Sequence, residues 1–128
     1  MSEIERLIAA ANKAREFSFA LSPRAQIVLR VPTAYELEIA SAGRVTGETG
    51  AVQFFRGLLE QCVVGWSGIV EADLVPDLPK EPAPEVTFDR ALVPLLLDAN
   101  PVEAVSMRDA LLDRLSKRAA RIEAARKN

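Results

Sequence analysis

One stretch of the sequence matters most for the fold: Cys62-Val63-Val64-Gly65-Trp66-Ser67-Gly68-Ile69-Val70. It contains the only cysteine and the only tryptophan of the chain, ends an apolar helical pattern and precedes a proline-rich segment. A lone tryptophan beside glycines at such a junction is typical of a side chain that fills a core next to a tight turn. We therefore predict structural roles for Trp66 and Gly65, together with Phe55 and Leu59 of the preceding helix.

The segment before this stretch has the period of an amphipathic helix over residues 51–64. Apolar residues recur there at spacings of three and four, as on one face of a helix: Val52, Phe55, Leu58, Leu59, Cys62, Val63 and Trp66. Gly57 lies inside the pattern and costs about 1 kcal/mol relative to alanine. The glycine-containing residues 43–50 before it are predicted to form a loop.

Further upstream the period changes to two, which is the period of a strand. Phe17, Phe19 and Leu21 alternate with smaller residues, a Ser-Pro-Arg turn follows, and residues 26–31 alternate again. This pattern predicts a β-hairpin over residues 17–31. Because two strands alone are marginal in water, the apolar face must pack on helices or pair with another chain.

Two short helices flank the predicted hairpin. Residues 3–15 form the first, with Ser2 as N-cap and an apolar stripe at Ile4, Leu7, Ile8 and Ala11. The second begins after Thr33 and runs to about residue 42. Thr33 as N-cap and Glu36 three residues later match a capping box.

The second half of the chain begins with an acidic, proline-rich connector over residues 71–86, which is predicted to be an extended and semi-rigid linker. Thr87 is then predicted to cap a short Leu-rich helix, and Pro94 to kink that helix or limit its start. Pro101 suits the first position of the last helix, which runs to near the end of the chain.

These elements predict a mainly α protein with a small N-terminal β-hairpin, an α+β fold. Helices pack on a two-stranded hairpin, and a long helix ends the chain. At 128 residues the chain is the size of one domain. We divide it into an N-terminal body over residues 1–70, the connector, and a C-terminal helical segment over residues 87–128.

The composition excludes most catalytic chemistry. The chain has no histidine and one cysteine, so it contains neither a Ser-His-Asp triad nor a zinc site, and no internal disulfide forms. Ser67 lacks the glycine spacing of a nucleophile elbow. We predict that the protein is not an enzyme and has no catalytic, cofactor or metal site. No leader or membrane-length apolar run is present, which predicts a cytoplasmic protein.

Charge is distributed unevenly along the chain. Residues 114–128 carry six basic and one acidic side chain, whereas the net charge of the whole chain is −2. The basic end can be a solvated helix terminus that complements the helix dipole, a surface for a protein partner, or, least favoured, a contact for nucleic acid. The predicted partner-binding set on this helix is Leu111, Arg114, Leu115, Arg118, Arg121 and Ile122.

Three short motifs follow one another between residue 63 and the end of the sequence. Val63-Val64-Gly65-Trp66 ends a helix, Val86-Thr87-Phe88-Asp89 opens the next, and Ala124-Ala125-Arg126-Lys127-Asn128 ends the chain. Over about residues 17–128 this order resembles the small tail assembly chaperones that long-tailed phages and prophages encode before the tape-measure gene. The N-terminal helix and the length of the connector depart from that pattern.

The resemblance implies binding rather than catalysis. Such chaperones are thought to coat the long, helical tape-measure protein, keep it soluble while tail tube subunits are recruited, and then leave. The implied partners are therefore the tape-measure protein and the tail tube protein, with homo-oligomers possible, in the cytoplasm of a bacterial host. Two alternatives stay open: a virion structural protein of the tail or head-tail connector, and a small nucleic-acid-binding or regulatory phage protein.

Overall fold

The sheet of this protein has three antiparallel strands in the order β1-β2-β3. A computed structural model describes residues 2–42, 47–81 and 84–127. The elements, in chain order, are α1 (Glu3–Ala14), β1 (Glu16–Ala20), β2 (Gln26–Arg30), α2 (Ala34–Ser41), α3 (Glu48–Cys62), β3 (Val63–Ser67), α4 (Glu71–Leu74), a 3-10 turn (Arg90–Leu92), α5 (Val93–Ala99) and α6 (Pro101–Lys127). The predicted fold class, mainly α with a small β element and a long C-terminal helix, is confirmed.

The third strand corrects the prediction of a two-stranded hairpin. Residues 63 and 64, predicted to be helical, belong to β3, whose Trp66 lies opposite Ile27 and whose Gly65 lies opposite Val28. β-Branched and aromatic residues suit a half-buried strand. The apolar pattern of α3 continues unbroken into β3, so periodicity alone does not separate the two elements.

The caps of the first two helices agree with the sequence prediction. The Ser2 hydroxyl accepts the backbone N–H of Glu5 at 3.1 Å. Thr33 and Glu36 form the predicted capping box, with the hydroxyl accepting the Glu36 N–H and the carboxylate accepting the Thr33 N–H. In the predicted loop 43–50, residues 43–46 lie outside the described part, and α3 already begins at Glu48.

The core lies between the sheet and helices α3, α5 and α6. Its fully buried members lie in β2, β3, α5, α6 and the segment after β3: Ile27, Leu29, Val63, Ile69, Val93, Leu96, Leu97, Met107 and Leu111. Helix α3 adds the buried Leu58, Leu59 and Cys62. Helix α1 contributes no buried residue. The core therefore extends from the hairpin to the middle of α6, and both ends of the chain lie beyond it.

The proline-rich connector is not the extended linker that its composition predicts. Residues 71–74 form helix α4, with Ala72 and Leu74 buried. The chain then returns to the sheet, where the Val86 N–H donates to the Ile69 carbonyl at 2.7 Å. Residues 82 and 83 lie outside the described part. Apolar burial, which composition does not reveal, holds this segment against the body.

The last two helices begin at residues selected by local chemistry. The predicted Thr87 cap is wrong, because the Asp89 carboxylate is the group that accepts the backbone N–H of Ala91, at 2.8 Å. Pro94 lies in the first turn of α5 and limits its start, and Pro101 is the first residue of α6. A first-turn proline removes only an N–H that has no helical partner.

Candidate partner-binding surfaces

Helix α6 has an anchored half and an exposed half. Met107 and Leu111 are its only buried residues among those described, and Leu115 packs partly against the core. Leu111 was predicted to face a partner, but its side chain is 1% exposed and packs in the core, so that prediction is wrong. Of the other predicted residues, Arg114, Arg121 and Ile122 are exposed and Arg118 is half-buried.

A groove of about 650 Å³ separates α6 from the junction of α1 and β1. Phe17 and Val31 line it together with five basic side chains: Arg15, Arg114, Lys117, Arg118 and Arg121. The Arg114 guanidinium lies 4.9 Å from the centroid of the Phe17 ring, a cation–π distance that fixes this side chain across the groove. Three of the predicted partner-binding residues are therefore brought together, opposite residues that the prediction did not include.

The acidic side chains in and around the groove neutralise only part of this charge. Glu16 and Asp113 also line the groove. Glu16 pairs with Arg30 at 3.5 Å, Asp113 with Lys117 at 2.9 Å, and Glu36 with Arg15 at 2.7 Å. Within the described ranges, Arg114, Arg118 and Arg121 have no ion pair. The groove is thus basic, with an apolar floor.

Arg15 organises one end of the groove. Its side chain is 11% exposed and donates to the Val31 carbonyl, the Glu36 carboxylate and the Asn12 amide oxygen, at 2.9, 2.7 and 3.1 Å. The pKa of Glu36 is lowered, mainly by the Thr33 backbone N–H and also by Arg15. Sequence reasoning missed Arg15 because two of its partners, Val31 and Glu36, are distant from it in the sequence.

The apolar stripe of α1 is uncovered in this structure. Ile4, Leu7 and Ile8 are each more than half exposed, and no residue of α1 is buried. An exposed row of large apolar side chains along a helix is typical of an interaction surface. The stripe itself was visible in the sequence, but whether a neighbouring element covers it is a property of the tertiary fold.

Trp66 holds the returning connector against the sheet. Its indole N–H donates to the Val86 carbonyl at 2.8 Å, and its ring meets Phe88 edge to face at 4.9 Å. A Cβ atom added at Gly65 would lie 3.8 Å from the Val28 Cβ, an ordinary contact, so β3 does not require glycine at this position. These contacts are structural, as are those of the half-buried Phe55 and of Leu59 in the core.

Arg90 and Arg56 join the C-terminal segment to helix α3. Arg90 donates to the Glu60 and Val63 carbonyls, both at 3.0 Å, at the carboxyl end of α3. Arg56 pairs with Glu60 on its own helix and with Asp98 of α5, at 2.7 and 2.9 Å. These two arginines interact with acceptors within the fold, unlike Arg114, Arg118 and Arg121 on α6.

Cys62 is a buried thiol at the end of α3. Burial, with a smaller contribution from the Glu36 carboxylate, raises the pKa of this thiol to about 11.

At pH 8 we therefore expect iodoacetamide to alkylate Cys62 in the native chain at least ~100-fold more slowly than in the denatured chain, because only the thiolate reacts. As the pH rises, the thiol ionises in the unfolded chain before it does in the folded chain. Its contribution to the free energy of unfolding is therefore fully present below about pH 9 and is lost towards pH 11. Equal alkylation rates with and without denaturant would contradict the burial.

The described residues contain no group of three or more His, Cys, Asp or Glu side chains arranged to hold a metal ion. In the same ranges, no helix combines the length and apolarity that a membrane crossing needs. Comparisons of the chain with protein-family models, curated proteins and solved structures found no match.

Proposed function

We propose that this protein is a tail assembly chaperone of a long-tailed phage or prophage. It binds the helical tape-measure protein in the host cytoplasm, keeps it soluble, and releases it as tail tube subunits assemble. The observation that carries the proposal is the uncovered apolar face of α1, beside a basic helix that projects past the core. Amphipathic helices are commonly bound by such apolar helix faces and grooves. The motif order between residues 17 and 128 supports the same function.

Co-expression tests the proposal directly. The chain is produced with the long helical protein encoded downstream of it, and soluble and precipitated fractions are compared with and without the chain. We expect the partner to become soluble and to co-purify only with the chain. Ile8→Glu, which places a charge on the α1 stripe, should lower the recovered complex at least about fivefold. Val102→Glu, at another exposed apolar residue, is the matched control.

Failure to recover a complex at any ratio of the two proteins, with the chain itself folded, would overturn the chaperone function. Equal losses from Ile8→Glu and Val102→Glu would leave the α1 face without a special role.

One observation favours a second candidate, a virion structural protein. Strand β1 is an edge of the sheet, and an edge strand can accept a strand from another subunit. Mass spectrometry of purified particles separates the two functions, since a structural subunit is present in stoichiometric amount and an assembly chaperone is absent.

A further inference from the structure

The unpaired arginines of α6 form one row. Positions 114, 118 and 121 are spaced by four and three residues, which places them on one helical face. The contact of Arg114 with the Phe17 ring shows that this face borders the groove. Three cations without acidic partners among the described residues thus point towards a surface whose floor is apolar.

The apolar stripe of α1 continues towards the same groove. Ile4, Ile8, Ala11 and Arg15 are spaced by four, three and four residues, so they share one helical face. Arg15, the C-cap of α1, has helical backbone angles, and its side chain lines the groove. The uncovered stripe and the groove therefore lie on one side of α1. Twelve helical residues add about 18 Å to the length of this surface.

We propose that this combined surface, which we call the α1–α6 surface, binds an amphipathic helix with acidic residues flanking its apolar face. The apolar side of that helix covers Ile4, Leu7, Ile8 and the groove floor, and its carboxylates pair with Arg114, Arg118 and Arg121. The inference rests on the proposed function, because the helix is taken to be a segment of the tape-measure partner. The inference adds two features to the proposed function: the surface of this chain that binds the tape-measure segment, and the negative charge of that segment.

Two other occupants fit the surface less well. A nucleic acid backbone would satisfy the arginines but would leave the apolar stripe of α1 without a counterpart. The α1 helix of a second copy would cover apolar side chains, but it carries two acidic and two basic residues and has no net charge to match the row. An acidic amphipathic helix satisfies both parts of the surface.

Designed peptides test the proposal with the intact chain. Three labelled 21-residue helices are compared by fluorescence anisotropy: one with a leucine face flanked by glutamates, one with the same face flanked by lysines, and one with the glutamate composition in shuffled order. We expect the glutamate helix to bind at least about tenfold more tightly than either of the others, because only it matches the surface in both charge and apolar pattern.

Charge reversal on the chain then identifies the surface. The double variant Arg118→Glu/Arg121→Glu should weaken binding of the glutamate helix at least about tenfold and improve binding of the lysine helix. Arg126→Glu changes the charge of the same helix outside the groove and should alter affinity no more than about twofold. The intrinsic fluorescence of Trp66, the single tryptophan of the chain, reports whether each variant retains its fold.

Several results would overturn the proposal. Equal binding of the lysine or shuffled helix would remove the charge or pattern requirement. Tighter binding of a 20-nucleotide DNA, lost in the double variant, would assign the row to nucleic acid. A dimer detected by light scattering and dissociated by Ile8→Glu would assign the surface to a second copy.

The peptide experiment and the co-expression experiment fail separately. If the partner is kept soluble by the double variant as well as by the original chain, the chaperone function stands and the α1–α6 surface is wrong. If the glutamate helix binds as expected but no partner complex forms, the surface stands and the chaperone function is wrong.

Discussion

Gly68→Ala is expected to destabilise the protein by about 3 kcal/mol or more. Gly68 follows β3 with a φ of +72°, in the left-handed region that favours glycine. A Cβ atom there would overlap the Arg24 carbonyl oxygen and lie 3.2 Å from the Ala25 Cα. Because both neighbours are backbone atoms of the hairpin turn, relief requires moving β1 and β2 away from β3. Urea unfolding followed by Trp66 fluorescence measures the change.

Gly57→Ala provides the matched control. Gly57 lies inside α3, and a Cβ atom added there meets nothing within 4 Å. Alanine should stabilise the helix by roughly 0.5–1 kcal/mol, through its higher helix propensity. If Gly68→Ala cost less than about 1 kcal/mol, the close approach of the β3 end to the hairpin turn would be wrong.

Leu111→Ala is expected to cost about 2–5 kcal/mol, because the side chain is 1% exposed and its loss leaves a cavity where α6 meets the core. Leu95→Ala removes the same atoms from α5, where the side chain is 44% exposed, and should cost less than about 1 kcal/mol. Thermal unfolding followed by circular dichroism compares the two variants.

The leucine pair also tests how α6 is divided between stability and binding. Similar losses in both variants would show that Leu111 is not a core residue, and the residue would return to the set of candidate partner contacts. A large loss only in Leu111→Ala would leave Ile122, which is 50% exposed, as the apolar member of the predicted set that is available to a partner.

Features governed by neighbours in sequence were predicted well. The Ser2 cap, the Thr33–Glu36 capping box and the position of Pro101 each depend on residues a few positions apart. The hairpin was predicted for a similar reason, since alternating apolar residues on both sides of a short turn specify strand pairing locally.

Features governed by distant residues were not predicted. Strand β3 pairs with β2 about 38 residues earlier in the chain, and its apolar residues also match the helical period of α3. The connector lies against the sheet through contacts such as Val86 to Ile69. Neither of these pairings, β3 with β2 or the connector with the sheet, is identifiable from a single sequence, because any apolar segment of suitable length could take the same place.

The candidate site was predicted in the same uneven way. The charge imbalance near the C-terminus identified Arg114, Arg118 and Arg121 directly from the sequence. Their relation to Phe17 and Arg15 depends on how α6 crosses the α1–β1 junction, which no local pattern encodes. Leu111 was assigned to the wrong side because an apolar stripe does not state what covers it.

The lack of buried residues in α1 has a consequence for hydrogen exchange and for the strength of binding. A helix of 12 residues is marginal in water on its own, so its amides can open locally without unfolding of the sheet. Amides at Ile27 and Leu29, by contrast, lie in the central strand and exchange through larger openings. Ordering α1 on a partner subtracts conformational entropy from the contact free energy. The proposed complex is therefore expected to be weaker than its contact area alone would give, which agrees with the release that the proposed chaperone function requires.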